Sequence, residues 1–258
     1  MSSLYIPDLT EIERAFLYPY EAPCGAFLIE NGHFCPLPVE TDFNQRVPVI
    51  SVGSNRAPVQ LVRKFGRAAK LPVTPVMMQG VDVCHVANIA PYGAIPCSAY
   101  PVADTQIRLN IAWLDAQQLA IMHTTEGIGD AYDFVRWTKG SFSHLFDFGS
   151  RAQVDMPVYG YATRAGFFAD ETGRPYALAA LPAEQRSLIA RTQTQMMSHA
   201  KTRLDAQETS LADWVRAMQA QPARQHGLRE GLAAKAVHPD NPPWQVIEAD
   251  KAGFSDLC

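Results

Sequence analysis

Cysteine is scarce in this chain of 258 residues, and the few cysteines present stand far apart. The five lie at Cys24, Cys35, Cys84, Cys97 and Cys258, and no two of them form a Cys-x-x-Cys pair. This distribution argues against a disulfide framework and offers no zinc-binding spacing, so we expect no metal site. An odd, dispersed set of cysteines favours reduced thiols and a cytoplasmic location.

Long apolar runs and a surplus of basic residues are missing as well. No stretch approaches the ~20 apolar residues that cross a bilayer, and the acidic residues near the amino terminus do not suit a secretory signal. A formal net charge of −4 argues against nucleic acid and against an anionic membrane surface as partners. The remaining composition, 47 % hydrophobic and 19 % charged residues, is typical of a globular protein with a substantial core.

Composition divides the chain into three zones. Residues 1–46 predict a short helix and a β-hairpin, which together form an amino-terminal extension. Residues 47–180 carry most of the β patterns and form the core, whereas residues 181–258 contain helix formers and almost no β-branched run. We therefore expect one α/β (α+β) domain in which a β-rich core carries an extension at each end, the carboxyl-terminal one being helical and packed on the core.

Periodicity and turn residues predict the individual elements. Two helices are expected in the core, over Ala57–Ala69 and from the cap Asp115 onward, and two in the last zone, over Ala183–Leu204 and Leu211–Gln219. The polar stretch 221–226 is expected to break the helix. The other expected elements are a helix over Leu9–Leu17, a hairpin turn at Asn31-Gly32, and strands over Val47–Val52, Val81–Ile89, Gln106–Trp113, Ala131–Trp137 and Pro157–Thr163.

The first candidate site is the turn Gly53-Ser54-Asn55, between a strand and a helix. A strand that ends in small residues and runs into a helix presents successive backbone N–H groups, which bind a carboxylate, a phosphate or a developing oxyanion. Ser54 and Asn55 add side-chain donors. An ordinary helix cap is the alternative interpretation, because serine and asparagine are frequent caps.

The second candidate is Glu126, at the end of the helix that begins at Asp115. A carboxylate at an apolar helix end above a sheet loses solvation and becomes a better proton acceptor. A solvated glutamate is the alternative for this residue taken alone. His123 and Glu126 are also spaced as two metal ligands on one helix face, but no second ligand cluster follows, so a polar surface explains the pair better.

Several short motifs connect the two candidates in a fixed order. Gly53-Ser54-Asn55 is followed by Gly93-Ala94-Ile95-Pro96, by the strand Ile107–Trp113 and by Glu126-Gly127, with Leu119, Met122 and Tyr132 at the accompanying positions. This order and spacing resemble the γ-glutamylcyclotransferase-like family over residues 47–165. The resemblance implies a small mixed-sheet barrel and a reaction that needs no metal, nucleotide or flavin.

The resemblance also implies a role for each site. Glu126 would be the general base that takes a proton from the substrate's α-amino group, which then attacks the γ-carbonyl of the same glutamyl unit. The amide breaks and releases 5-oxoproline and an amine. Backbone donors of the Gly53-Ser54-Asn55 turn would hold the glutamyl end or the oxyanion. The further substrate-binding residues expected around this site are Val52, Arg56, Tyr92, Gly93, Tyr132 and Tyr161.

Two positions depart from the family pattern. Val52 stands where the family has a tyrosine, which removes a hydroxyl from the cavity wall. Arg56 replaces the commoner leucine, and its side chain either contacts a carboxylate at the rim or is solvated. Both changes affect the substrate more than the fold, as do the two long extensions.

The leading hypothesis is an enzyme that cleaves a γ-glutamyl or related amide of a small amine or amino acid, with Glu126 as general acid and base. An amide hydrolase or acyltransferase on the same site is the nearest alternative, and a non-catalytic small-molecule-binding protein is the competing class. No cofactor is expected, and the expected partners are a small-molecule amide and, at most, a second copy of the chain.

Overall fold

The computed structural model describes residues 3–148, 155–204 and 210–257, and it confirms a mixed α/β fold. Seven α-helices surround one mixed sheet of thirteen strands in these residues. The strands are β1 Leu4–Tyr5, β2 Phe27–Glu30, β3 His33–Pro36, β4 Val47–Ser51, β5 Leu71–His85, β6 Cys97–Leu114, β7 Tyr132–Trp137, β8 Phe142–His144, β9 Tyr159–Thr163, β10 Ala177–Leu178, β11 Ala183–Glu184, β12 Ala190–Arg191 and β13 Trp244–Ile247. The helices are α1 Glu11–Phe16, α2 Pro58–Phe65, α3 Ala116–Glu126, α4 Gln193–Arg203, α5 Leu211–Ala220, α6 Pro222–Ala233 and α7 Phe254–Leu257.

The sheet runs through all three zones of the sequence. Its main path is β1-β3-β2-β5-β6-β4-β9-β7-β13, with the four short strands β8, β10, β11 and β12 attached beside it. In the part of the chain described, β1 and β13 lie at opposite ends of this path and do not pair with each other, so the sheet is open and a closed barrel is not confirmed. Strand β4 lies inside the path, antiparallel to β6 and parallel to β9.

The centre of the sheet is a long hairpin of β5 and β6. The two strands pair from Val73 with Ala112 to His85 with Cys97, and the register shifts between Gln79 and Val81. The sequence patterns indicated only parts of this hairpin, Val81–Ile89 and Gln106–Trp113. Prolines at positions 72 and 75 obscure the β pattern, because proline cannot donate to a ladder. Both prolines nevertheless lie in register inside the sheet.

The helical prediction for Ala183–Leu204 is wrong over its first half. The short strands β11 and β12 occupy this segment, and α4 begins only at Gln193. Ala183 pairs with Ile107 of β6, so sheet pairing overrides the good helix propensity of the segment. The Thr192 side chain then caps α4 together with Gln195 in a capping box.

The predicted helix break at 221–226 is also too long. The break is confined to Gln221, and α6 begins at Pro222, where proline's missing N–H costs the first turn of a helix nothing. No helix in the three described ranges is long and apolar enough to pass through a bilayer.

Candidate functional site

A cavity of about 900 Å³ lies where β4 ends, beside the carboxyl-terminal end of α3. Its wall brings together most of the residues that the sequence indicated. Those residues are Val52, Gly53, Ser54, Asn55, Tyr92, Glu126, Tyr132 and Tyr161. A volume of this size accommodates a small metabolite.

Two local features fix the position of Glu126. The helix α3 begins at Asp115, whose carboxylate accepts from the Gln118 backbone N–H in a capping box. The helix ends directly after Glu126, because Gly127 takes the left-handed conformation with φ 64°, which glycine adopts without strain. Glu126 therefore stands at the last position of the helix, facing the turn that follows β4.

The Glu126 carboxylate is held through one of its two oxygens. Oε1 accepts a hydrogen bond from Asn55 Nδ2 at 2.9 Å and an ion-pair contact from Lys64 Nζ at 2.5 Å. Oε2 accepts none from the residues that the structure describes. The Glu126 side chain is 14 % exposed and that of Lys64 only 4 %, so the pair lies largely out of water. One oxygen thus anchors the group while the other remains available to a ligand.

Lys64 is the contact that the sequence reasoning missed. It comes from α2, and its Nζ also contacts Met122 Sδ of α3 at 3.1 Å. Gln60, Arg63 and Lys64 are spaced i, i+3 and i+4, so they form a polar stripe along α2, and all three line the cavity. This spacing, in the helix that follows the Gly53-Ser54-Asn55 turn, is the feature of the sequence that could have predicted Lys64 as a site residue.

The Gly53-Ser54-Asn55 turn offers unpaired hydrogen-bonding groups. Strand β4 is followed by a short 3₁₀ turn over Ser54–Arg56. The backbone N–H groups of Gly53, Ser54 and Asn55 donate to no carbonyl or side chain of the described residues. The Asn55 Oδ1 atom is buried and likewise lacks a partner there. Because buried polar atoms rarely stay unpaired, Asn55 Oδ1 is suited to bind a ligand. Successive unpaired backbone N–H groups are likewise suited to bind an anion.

A tyrosine from the amino-terminal extension lies against this turn. The Tyr18 hydroxyl accepts from the Cys97 backbone N–H at 3.0 Å and lies 3.2 Å from Cys97 Sγ. Burial raises the pKa of the Cys97 thiol to about 12 and raises that of Tyr18 as well, so both groups keep their protons at neutral pH. Both residues line the cavity beside Gly53.

Replacing Gly53 with alanine is expected to disturb this wall. The new Cβ would lie 2.6 Å from the Tyr18 hydroxyl and 2.8 Å from Cys97 Sγ, which is closer than van der Waals contact. We expect Gly53→Ala to lower the free energy of unfolding by about 1–3 kcal/mol, as overpacked substitutions do. Gly25→Ala is the matched control, because nothing lies within 4 Å of its added Cβ. Equal urea midpoints for the two variants would contradict the packing described.

A second hydroxyl in the wall belongs to a hydrogen-bonded chain. The Tyr161 hydroxyl lies 2.7 Å from His123 Nδ1, and His123 Nε2 lies 2.9 Å from the Ala252 carbonyl. Burial lowers the pKa of His123, which favours the neutral ring. Because the carbonyl can only accept, Nε2 carries the proton, and Tyr161 donates to Nδ1. Both ring nitrogens are therefore occupied, which argues against the His123 and Glu126 metal pair.

Two predicted site residues do not line the cavity. The half-buried Arg56 donates from Nε to Asn110 Oδ1 of β6 at 2.9 Å, and it pairs with no carboxylate in the described part of the chain. Gly93 packs against the Val215 side chain of α5, and its φ of +92° disfavours any other residue. Arg56 and Gly93 thus have structural contacts, and their expected substrate-binding role is not supported by position.

Both chain extensions contribute to the cavity wall. The α1 region supplies Glu11 and Arg14, α5 supplies Gln219, and α6 supplies Arg229. The Gln219 amide donates to the Tyr92 carbonyl at 2.9 Å and to the Glu11 carbonyl at 3.1 Å. The amino-terminal extension and the carboxyl-terminal helices therefore meet at Tyr92, and together they enclose one side of the cavity.

Comparison of the chain with protein-family models, with curated proteins and with solved structures finds no match.

Proposed function

We propose that this protein is an enzyme of the γ-glutamylcyclotransferase-like type that cleaves the γ-glutamyl amide of a small amine or amino acid. The observation that carries the proposal is the Glu126 carboxylate, which faces the unpaired groups of the Gly53-Ser54-Asn55 turn with one oxygen uncommitted. The order of motifs in residues 47–165 supports it. The same resemblance implies a small mixed-sheet barrel for this core, whereas the path of the described strands is open.

In the proposed reaction the substrate's ammonium group first loses a proton to Glu126 Oε2. The neutral nitrogen then attacks the γ-carbonyl carbon of the same glutamyl unit, and a new C–N bond closes a five-membered ring. The oxyanion that forms accepts hydrogen bonds from the N–H groups of the turn. The ring nitrogen then gives up a second proton, and the original amide bond breaks. The leaving nitrogen receives this proton and the one held by Glu126, so the amine departs in its protonated form. The products are 5-oxoproline and a free amine, and no cofactor is consumed.

The contacts of Glu126 suit a group that must accept and return a proton. Asn55 and Lys64 hold Oε1, so the carboxylate keeps one orientation while Oε2 faces the substrate. The nucleophile and the carbonyl belong to one molecule, so the cavity has only to hold the folded substrate. Tyr18 supplies a hydroxyl beside Gly53. Gly53 directly follows Val52, the position at which the family has a tyrosine.

The products distinguish the proposal from its alternatives. Purified protein is incubated with γ-glutamyl amides of several amines and amino acids, and the products are identified by mass spectrometry. We expect 5-oxoproline and the free amine in equal amounts. Free glutamate instead would show hydrolysis at the same site, and no product from any amide would refute the enzymatic proposal in favour of a binding protein.

A cytoplasmic location belongs to the same proposal. Cys24, Cys35, Cys84 and Cys97 are all free thiols in the structure, as expected of a protein kept in reducing surroundings.

A further inference from the structure

Basic side chains dominate the side of the cavity that the chain extensions enclose. Arg14 comes from α1, Arg63 from α2 and Arg229 from α6, and we refer to these three residues as the basic cluster. Glu11 and Glu126 are the carboxylates that line this cavity among the described residues, and Glu126 is already paired with Lys64, which leaves Glu11 to face the basic cluster. Three guanidinium groups against one carboxylate leave a surplus of two positive charges.

The contacts of the basic cluster leave its charge largely unneutralised. Arg14 pairs with Glu11, and its guanidinium lies 4.0 Å from the centre of the Tyr92 ring. Its side chain is 6 % exposed, yet the buried Nε has no partner in the described part of the chain. Among the described residues, Arg229 donates only to neutral acceptors, the Ile89 carbonyl and Gln225 Oε1.

Arg63 is the most available member of the basic cluster. It is exposed at the mouth of the cavity, and it forms no ion pair with any residue that the structure describes. Asp8 lines a smaller crevice next to Arg14 and Arg63, but its carboxylate is paired with Arg67 at 2.9 Å. The positive charge of Arg63 is therefore free to meet a ligand.

The unpaired groups of the cavity differ in charge between its two sides. On the Glu126 side the acceptors Glu126 Oε2 and Asn55 Oδ1 suit the ammonium group of a glutamyl unit, and the unpaired donors there are the neutral backbone N–H groups of the turn. On the side of the basic cluster the unpaired groups are donors, namely Arg14 Nε and the Arg63 guanidinium. A ligand that satisfies both sides carries its ammonium at Glu126 and anionic groups at the basic cluster.

From this polarity we infer that the basic cluster binds the leaving group of the substrate, and that this leaving group is an amino-dicarboxylic acid. Its two carboxylates balance the two surplus positive charges. The inference rests on the proposed function for the orientation of the substrate. It goes beyond that function in naming the acidic class of the leaving amine and Arg63 as the residue that selects it.

The test compares γ-glutamylglutamate, whose leaving group is acidic, with γ-glutamylalaninamide, whose leaving group is neutral. The variant is Arg63→Gln, and Arg216→Gln is the matched control, because Arg216 is an exposed arginine of α5 that pairs with Asp213 and does not line the cavity. We expect Arg63→Gln to raise KM for γ-glutamylglutamate by roughly tenfold to a hundredfold, which is the usual effect of losing one charge-assisted hydrogen bond. KM for γ-glutamylalaninamide is expected to change less than about twofold with either variant.

A binding measurement separates the two proposals. Calorimetry with a protein that carries Glu126→Gln and Lys64→Met, which leaves no unpaired charge at Glu126, gives the Kd of γ-glutamylglutamate without turnover. Adding Arg63→Gln is expected to weaken this binding by the same factor. Turnover without preference for the acidic amide would overturn the basic cluster as a specificity site, and so would an equal rise in KM for both amides in Arg63→Gln. Either result would leave the proposed enzymatic activity standing. Binding that depends on Arg63 without any turnover would refute the enzymatic proposal and keep the anion site. Absence of both turnover and binding would overturn both.

Discussion

Replacing Glu126 with glutamine is expected to lower kcat by about a hundredfold to ten-thousandfold, because general acid–base catalysis contributes on this order. The amide of glutamine keeps the shape and the hydrogen-bonding capacity of the side chain but accepts no proton at neutral pH. Release of 5-oxoproline from γ-glutamyl amides, measured under saturating substrate, gives the effect directly. A variant that retains more than a tenth of the wild-type kcat would show that Glu126 is not the base.

The control for this variant must allow for Lys64. Removing the charge of Glu126 leaves the Lys64 ammonium buried without its carboxylate, and such an uncompensated charge destabilises a fold by several kcal/mol. Lys64→Met combined with Glu126→Gln removes both charges and keeps similar volumes. We expect the double variant to be more stable to urea than Glu126→Gln and equally inactive. Recovery of turnover in the double variant would attribute the loss to misfolding.

Replacing Arg186 with methionine is expected to have the largest effect on stability. Arg186 forms a two-pronged contact with Asp82 of β5, from Nε to Oδ2 at 2.7 Å and from a terminal nitrogen to Oδ1 at 2.8 Å. The Asp82 side chain is completely buried, at 0 % exposure. Without its partner the carboxylate stays in a low-dielectric interior, and we expect the free energy of unfolding to fall by about 3–5 kcal/mol. Urea unfolding followed by circular dichroism measures this loss.

A surface pair provides the matched control for Arg186. Arg164 contacts Asp133 at 2.7 Å, but both side chains are partly exposed, at 48 % and 28 %. Because water screens such a pair, Arg164→Met is expected to cost less than about 1 kcal/mol. Asp82→Asn combined with Arg186→Met is expected to recover part of the loss, since no buried charge remains. If the Arg164 and Arg186 variants lost the same free energy of unfolding, the Asp82 contact would not be what holds the segment between β10 and β12 to the sheet.

The order of short motifs was sufficient to predict which two segments form the candidate site. Gly53-Ser54-Asn55 follows a buried strand, and Glu126 precedes a helix-ending glycine; both features are local and can be identified from residue types. The structure brings Asn55 Nδ2 to 2.9 Å from Glu126 Oε1. Arg56 illustrates the limit of the same reasoning, because its neighbour in the sheet, Asn110, lies 54 residues further along the chain.

Sequence alone determined the mixed α/β class, the strand that leads into the turn, the cap at Asp115 and the helix end at Gly127, because each depends on residues within a few positions of one another. Tertiary structure alone decided that Lys64 pairs with Glu126, that Tyr18 lies against Gly53, and that residues 183–191 join the sheet instead of forming a helix. These contacts connect distant parts of the chain. The burial gained by packing whole elements together determines them, and it outweighs the helix propensity of any single segment.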